Sequence, residues 1–159
     1  MIRIANAAES FGDTEAAAAF YRRAADLQPG SAAAQIGIAR SLAEQGKLDQ
    51  AIDTLRSAKE RDPSNTQLDA TLGRLLVATN RPAEAVAAFD EGLQQDPRSV
   101  PLLIGRGVAL DAMGQHADAQ DAYRKAIEYD PENSAARKDL TLSLALTEGH
   151  ARDAKSRAW

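Results

Sequence analysis

Acid–base, metal and nucleophilic chemistry all require reactive side chains brought within hydrogen-bonding reach of one another, and this chain offers few candidates. Its imidazoles are His116 and His150, each just after a glycine and near the start of a predicted helix. A metal or proton-transfer role needs converging partners, and the spacing supplies none, so both are expected as exposed turn histidines. Cysteine is absent, which excludes disulfides and thiolate zinc sites. The carboxylate pairs Asp118 with Asp121 and Asp13 with Glu15 fall on outer helix faces, and the second pair also suits a helix N-terminus. Gly105-Arg106-Gly107 begins like a dinucleotide loop, but the third glycine would be residue 110, which is Leu110. No Ser/His/Asp set has spacing suited to nucleophilic catalysis. The sequence therefore reads as a chain that is not an enzyme, with no cofactor and no metal.

Binding is the chemistry that remains, and composition narrows it. Nineteen Lys and Arg stand against 23 Asp and Glu, interspersed, so no basic stripe points to nucleic acid. No apolar run approaches the roughly 18 residues of a membrane span. The start, MIRIANAAES, lacks the basic, apolar and cleavage regions of a signal peptide. Hydrophobic residues make up 44% but aromatics only 4%, and alanine dominates. That balance favours closely packed helices over a few large anchors.

The elements that must position any binding surface follow from an internal repeat. GQHADAQDAYRKAIEYDPENS (114–134) has relatives at 12–31, 46–65 and 80–99. Pro29, Pro63, Pro97 and Pro131 keep a period of 34, as do Gly12, Gly46, Asn80 and Gly114. Small residues keep it too: Ala17, Ala51, Ala85 and Ala119, then Ala24, Ala58, Gly92 and Ala126. Between these units lie helical stretches opened by Ser31, Asn65, Ser99 and Asn133, which are natural N-caps. The expected map has ten helices, at about 2–11, 14–27, 32–45, 48–61, 66–79, 82–95, 100–113, 116–129, 134–147 and 150–158. Small side chains recur where helices must approach closely, and branched ones there would overpack by about 1–3 kcal/mol.

The 34-residue helix–turn–helix unit resembles the tetratricopeptide repeat (TPR). Ile38-Ala39 with Leu42, Leu72-Gly73 with Leu76, and Gly107 with Leu110 carry the likeness in the first helix of each unit. In the second helix it is carried by Tyr21, Leu55, Phe89 and Tyr123 with the alanines and prolines. The resemblance implies an all-α TPR solenoid of about five repeats in a right-handed superhelix. It would form a single domain over 1–159, with repeats at about 1–31, 32–65, 66–99, 100–133 and 134–159. Arg106 departs from the pattern where leucine is usual, Glu148 reads as an extra residue before Gly149, and Trp159 is expected to cover the end of the stack.

TPR proteins usually hold a partner in the groove lined by the first helices. Carried over residue by residue, that groove comprises Ala33, Ile36, Gly37 and Arg40 in the second repeat and Gln67, Ala70, Thr71, Arg74 and Val77 in the third. The fourth gives Ile104, Gly105, Val108 and Asp111, and the fifth Lys138, Leu142 and Leu146. The wall is mainly apolar, with Arg40 and Arg74 one repeat apart. It suits a protein or peptide segment with an apolar stripe and an acidic group or C-terminal carboxylate. The Lys/Asn carboxylate clamp of chaperone-binding TPR proteins is absent, since Ile36, Arg40, Gln67 and Thr71 stand at comparable places.

Residues 102–154, above all GVALDAMGQHADAQDAYRKAI and NSAARKDLTLSLAL, resemble TadD-type proteins, the TPR lipoproteins of tight-adherence (Tad/Flp) pilus systems. Lys138-Asp139-Leu140-Thr141 departs from the Asn-Asn-Leu-Gly common there. The resemblance implies a bacterial assembly factor or pilotin on the periplasmic face of the outer membrane, anchored by a lipid upstream of Met1. Its partner would be a secretin or another pilus component. The alternatives are a type IV pilus secretin pilotin, a generic cytoplasmic adaptor, and the TPR portion of a larger enzyme.

Overall fold

The computed structural model describes residues 1–157, so Trp159 and the role expected for it lie outside the described residues. Nine helices follow one another among them: α1 (Ile2–Ser10), α2 (Thr14–Leu27), α3 (Ala32–Glu44), α4 (Leu48–Arg61), α5 (Thr66–Ala78), α6 (Pro82–Gln95), α7 (Val100–Ala112), α8 (His116–Tyr129) and α9 (Ser134–Arg157).

Local chemistry sets the ends of these helices. Gly12, Gly46, Asn80 and Gly114 turn the chain from an odd helix to the next even one, at φ of 78°, 76°, 59° and 75°. Glycine and asparagine tolerate that left-handed conformation. The next place in this column, residue 148, is Glu148. A glutamate resists positive φ, and the chain runs on as one helix from Ser134 to Arg157. The expected separate helices at 134–147 and 150–158 are thus replaced by a single one, through Gly149. Asp13, Ser31, Asn65 and Asn133 accept from the N–H groups of Ala16, Ala34, Gln67 and Ala136. Ser99 makes no such bond. Pro101, two residues on, has no N–H to offer.

Successive helices pack as neighbours, and α1, α3, α5, α7 and α9 also touch in series. Among the described residues no two even helices pack backbone against backbone, and α4 and α6 meet only through side chains, as in the Arg56–Glu84 ion pair at 2.7 Å. The stack therefore curves with the odd helices on the inside, and their outward surfaces form its concave face.

Rings seated on glycines set the spacing. A Cβ on Gly37 would fall 2.2 Å from the Tyr21 ring, and one on Gly107 would fall 2.4 Å from Tyr123. Phe89 lies between Gly73 and Gly105 in the same way. Ala17, Ala51, Ala85 and Ala119 are fully buried between helices. One large core cluster runs from Ile36 to Ala109, with smaller clusters towards each end. Arg106 reaches across to α6 and pairs with Asp90 at 2.6 Å.

Candidate functional site: the concave groove

A groove of about 670 Å³ opens on the concave face between α5 and α7. Gln67, Ala70, Arg74 and Val77 line it from α5, and Ile104, Gly105 and Val108 from α7. Val100 and Pro101 extend its apolar wall, and Asn133 and Ala135 close the side toward α9. Helical spacing brings these side chains to one face, because residues three or four apart stand above one another. The structure thus gathers seven of the expected groove residues around one cavity. Phe89 reaches its floor from α6. The linear reading missed this residue because it counted only first helices. The signal was Gly105, the small residue that uncovers the ring.

The other expected residues stand elsewhere. Ile36 and Gly37 are buried, Gly37 beneath Tyr21. Thr71 is also buried, and its hydroxyl donates to the Gln67 carbonyl at 2.8 Å. Ala33 and Lys138 are exposed outside the groove, as are Leu142 and Leu146, at 54% and 48%. Arg40 is committed within the chain: its Nη2 donates to Glu9 Oε2 at 2.5 Å and to the Tyr21 hydroxyl at 3.0 Å. That hydroxyl donates in turn to Glu9 at 2.9 Å, with Asn6 Oδ1 as a second acceptor at 2.5 Å. Arg74 is exposed and makes no ion pair or side-chain hydrogen bond among the described residues.

Asp111 is drawn inward. Its Oδ1 accepts from Ser143 Oγ at 2.7 Å and lies 2.8 Å from His116 Nδ1, while Oδ2 accepts from the Tyr123 hydroxyl at 3.0 Å. Burial, and then the Asp111 charge beside it, push the Tyr123 hydroxyl far above its ordinary value and keep it protonated as a donor. His150 is exposed as expected, though within a helix, and His116 is not. His116 is largely covered and tied to Asp111, and His150 lies mid-helix with its ring 5.6 Å from that of His116. The unbroken α9 brings them together. No group of three or more histidines and acids among the described residues could hold a metal, and no helix there is long and apolar enough to cross a membrane.

Solved structures share this architecture. TTC0263, a thermophilic TPR protein of Thermus thermophilus, is 19% identical, with a TM-score of 0.80 over 92% of this chain and 80% of that one. YrrB, described as a TPR protein with an unusual peptide-binding site, is 24% identical, with a TM-score of 0.69 over 92% and 76%. The first TPR of Spaghetti (RPAP3), bound to the HSP90 peptide SRMEEVD, is 22% identical, with a TM-score of 0.65 over 69% and 87%. No curated protein matches the chain significantly. The tetratricopeptide repeat family matches residues 9–75, 42–105 and 76–141. With the 34-residue helix pairs and their left-handed turns, those matches establish that the chain belongs to the tetratricopeptide repeat family.

Proposed function

We propose that the chain is a protein-interaction scaffold that holds a segment of a partner in the groove between α5 and α7, and that it does no chemistry on what it binds. The observation that carries this reading is the groove's lining. Ala70, Val77, Val100, Ile104 and Val108 present apolar surface on the inner wall of the stack. Such surface is costly in water and marks a place where another chain docks. The peptide named for the Spaghetti TPR and the peptide-binding site named for YrrB support the same mode of use. Val108 is 37% exposed, so Val108→Glu can be made without disturbing the core. Peptides selected from a random library on the wild-type protein are expected to bind the variant at least about tenfold more weakly, at unchanged helicity. Selected peptides that ignore the substitution would remove the groove from the reading.

For the partner's identity, the likeness of residues 102–154 to TadD-type lipoproteins supports a place in Tad/Flp pilus assembly. There the scaffold would bind a secretin or another pilus component at the periplasmic face of the outer membrane, held by a lipid anchor. A purified C-terminal segment of a Tad-system secretin from the same organism is expected to bind the wild type and lose affinity for Val108→Glu. No binding to the wild type would end the pilus reading and leave the groove to be judged on the peptide selection.

A further inference from the structure

The repeat carries a tyrosine–acid hydrogen bond at its two ends and omits it in the middle, and at the first end an arginine joins it. One column of the odd helices reads Glu9, Ala43, Val77, Asp111, and one column of the even helices reads Tyr21, Leu55, Phe89, Tyr123, each at the 34-residue period. Acid and tyrosine occur together. The Tyr21 hydroxyl lies 2.9 Å from Glu9, its one proton shared with Asn6 Oδ1 at 2.5 Å, and Tyr123 donates to Asp111 at 3.0 Å. Where the hydroxyl is missing, the acid is missing too.

Arg40 joins the first pair by donating to both Glu9 and Tyr21. Arg74 occupies the same place one repeat later. The residues that would supply its acid and its hydroxyl are Ala43 and Leu55. Their short or apolar side chains leave a depression of about 330 Å³, lined by Ala43, Leu55, Arg40 and Arg74 among others. Arg74 also lines the main groove, and no carboxylate of the described residues lines either hollow. A chain of net charge −4 thus places an unpaired guanidinium where two hollows meet.

We propose that this depression receives a carboxylate of the bound segment, which stands to Arg74 as Glu9 stands to Arg40. The inference rests on the groove reading and names the chemistry at one end of it. The guanidinium offers a fork of donors that matches a carboxylate in two-point contact, and the alkyl walls of Ala43 and Leu55 offer it no competing acid. Either an Asp or Glu side chain or a chain-terminal carboxylate satisfies the geometry.

The test uses peptides selected from a random library on the intact wild-type protein, each prepared as the free acid, as the C-terminal amide, and with acidic side chains changed to amides. Binding is followed by fluorescence anisotropy against wild type, Val108→Glu, Arg74→Gln and Ala43→Glu. Ala43→Glu rebuilds the missing internal acid, so Arg74 becomes occupied from within. Peptides that lose affinity on Val108→Glu are expected to weaken about tenfold or more on both Arg74→Gln and Ala43→Glu. Their neutralised forms should bind weakly and no longer respond to Ala43→Glu. Whichever neutralisation has this effect, side-chain or terminal, identifies the source of the carboxylate. Peptides sensitive to Val108→Glu but indifferent to Arg74→Gln and Ala43→Glu would overturn the carboxylate site and leave the groove standing. Should no selected peptide respond to Val108→Glu, the groove reading falls and this inference with it. Arg74→Gln alters only an exposed side chain, so it decides the matter even if Ala43→Glu folds poorly.

Discussion

An added methyl on Gly37 would lie 2.2 Å from the Tyr21 ring, whereas one on Gly149, inside α9, would meet nothing within 4 Å. Gly37→Ala is therefore expected to destabilise by about 1–3 kcal/mol through overpacking. Gly149→Ala should stabilise by up to about 1 kcal/mol through helix propensity, and urea midpoints separate the two. Arg40 and Arg74 divide in a similar way. Arg40→Gln removes a half-exposed ion pair and should cost under about 1 kcal/mol, while Arg74→Gln should shift stability by no more than about 0.5 kcal/mol. Asp69 is the buried acid of the core. Lys59 Nζ lies 2.6 Å from its Oδ2, and its Oδ1 has no partner. Burial pushes its carboxyl above the usual range, and the Lys59 pair offsets that only in part. A carboxyl raised in the folded state binds its proton more tightly there than in the unfolded chain. The Asp69 contribution to stability therefore improves as pH falls from neutral through the raised value toward the ordinary one, and worsens on the way back. Measured as wild type minus Asp69→Asn, the stability difference should move toward the wild type on acidification across that window. The subtraction removes Asp139, which burial raises in the same direction.

Among the elements, α9 shows how one residue decides a boundary. Four turns of the array need a residue tolerant of positive φ, and the fifth has Glu148. Glu148→Gly, beside Gly149, should loosen the helix there and speed amide exchange from 148 to 157, as read by hydrogen-exchange mass spectrometry. The sequence already contained this information. The column 12, 46, 80, 114 predicts a turn at 148, and reading Glu148 as an inserted residue concealed that the turn was lost. The helix pairs, their turns and the burial of small residues were legible because each repeats at a fixed period. The groove was legible only as a set of places: Ala70, Val77, Ile104 and Val108 lie where the period puts them. The roles of Arg40 and Asp111 were not, because their partners Glu9 and Ser143 lie 31 and 32 residues away across a repeat boundary. Nothing in local spacing shows which acid an inward helix will offer. His116 was misjudged on two counts: its tie to Asp111, five residues back across the turn, was overlooked, and its ring contact with His150 depends on the run of α9.

At the scale of the whole molecule, the largest core cluster spans α3 to α7, while the clusters at the two ends are small. Stacked repeats stabilise one another chiefly through their neighbours. Native-state hydrogen exchange should accordingly be slowest in α4 to α7 and fastest in α1 and the distal half of α9. Uniform protection along the chain would contradict that gradient. Its other extreme is useful to an experimenter. From Ala151 to Arg157, α9 runs solvent-exposed past its ring contact with α8, an overhang of about 10 Å at the rise of an α-helix. Because the chain has no cysteine, Lys155→Cys would give a single labelling point on that spar. A dye there would behave as the far arm of a goniometer, converting any small flexing of the curved stack into a measurable swing.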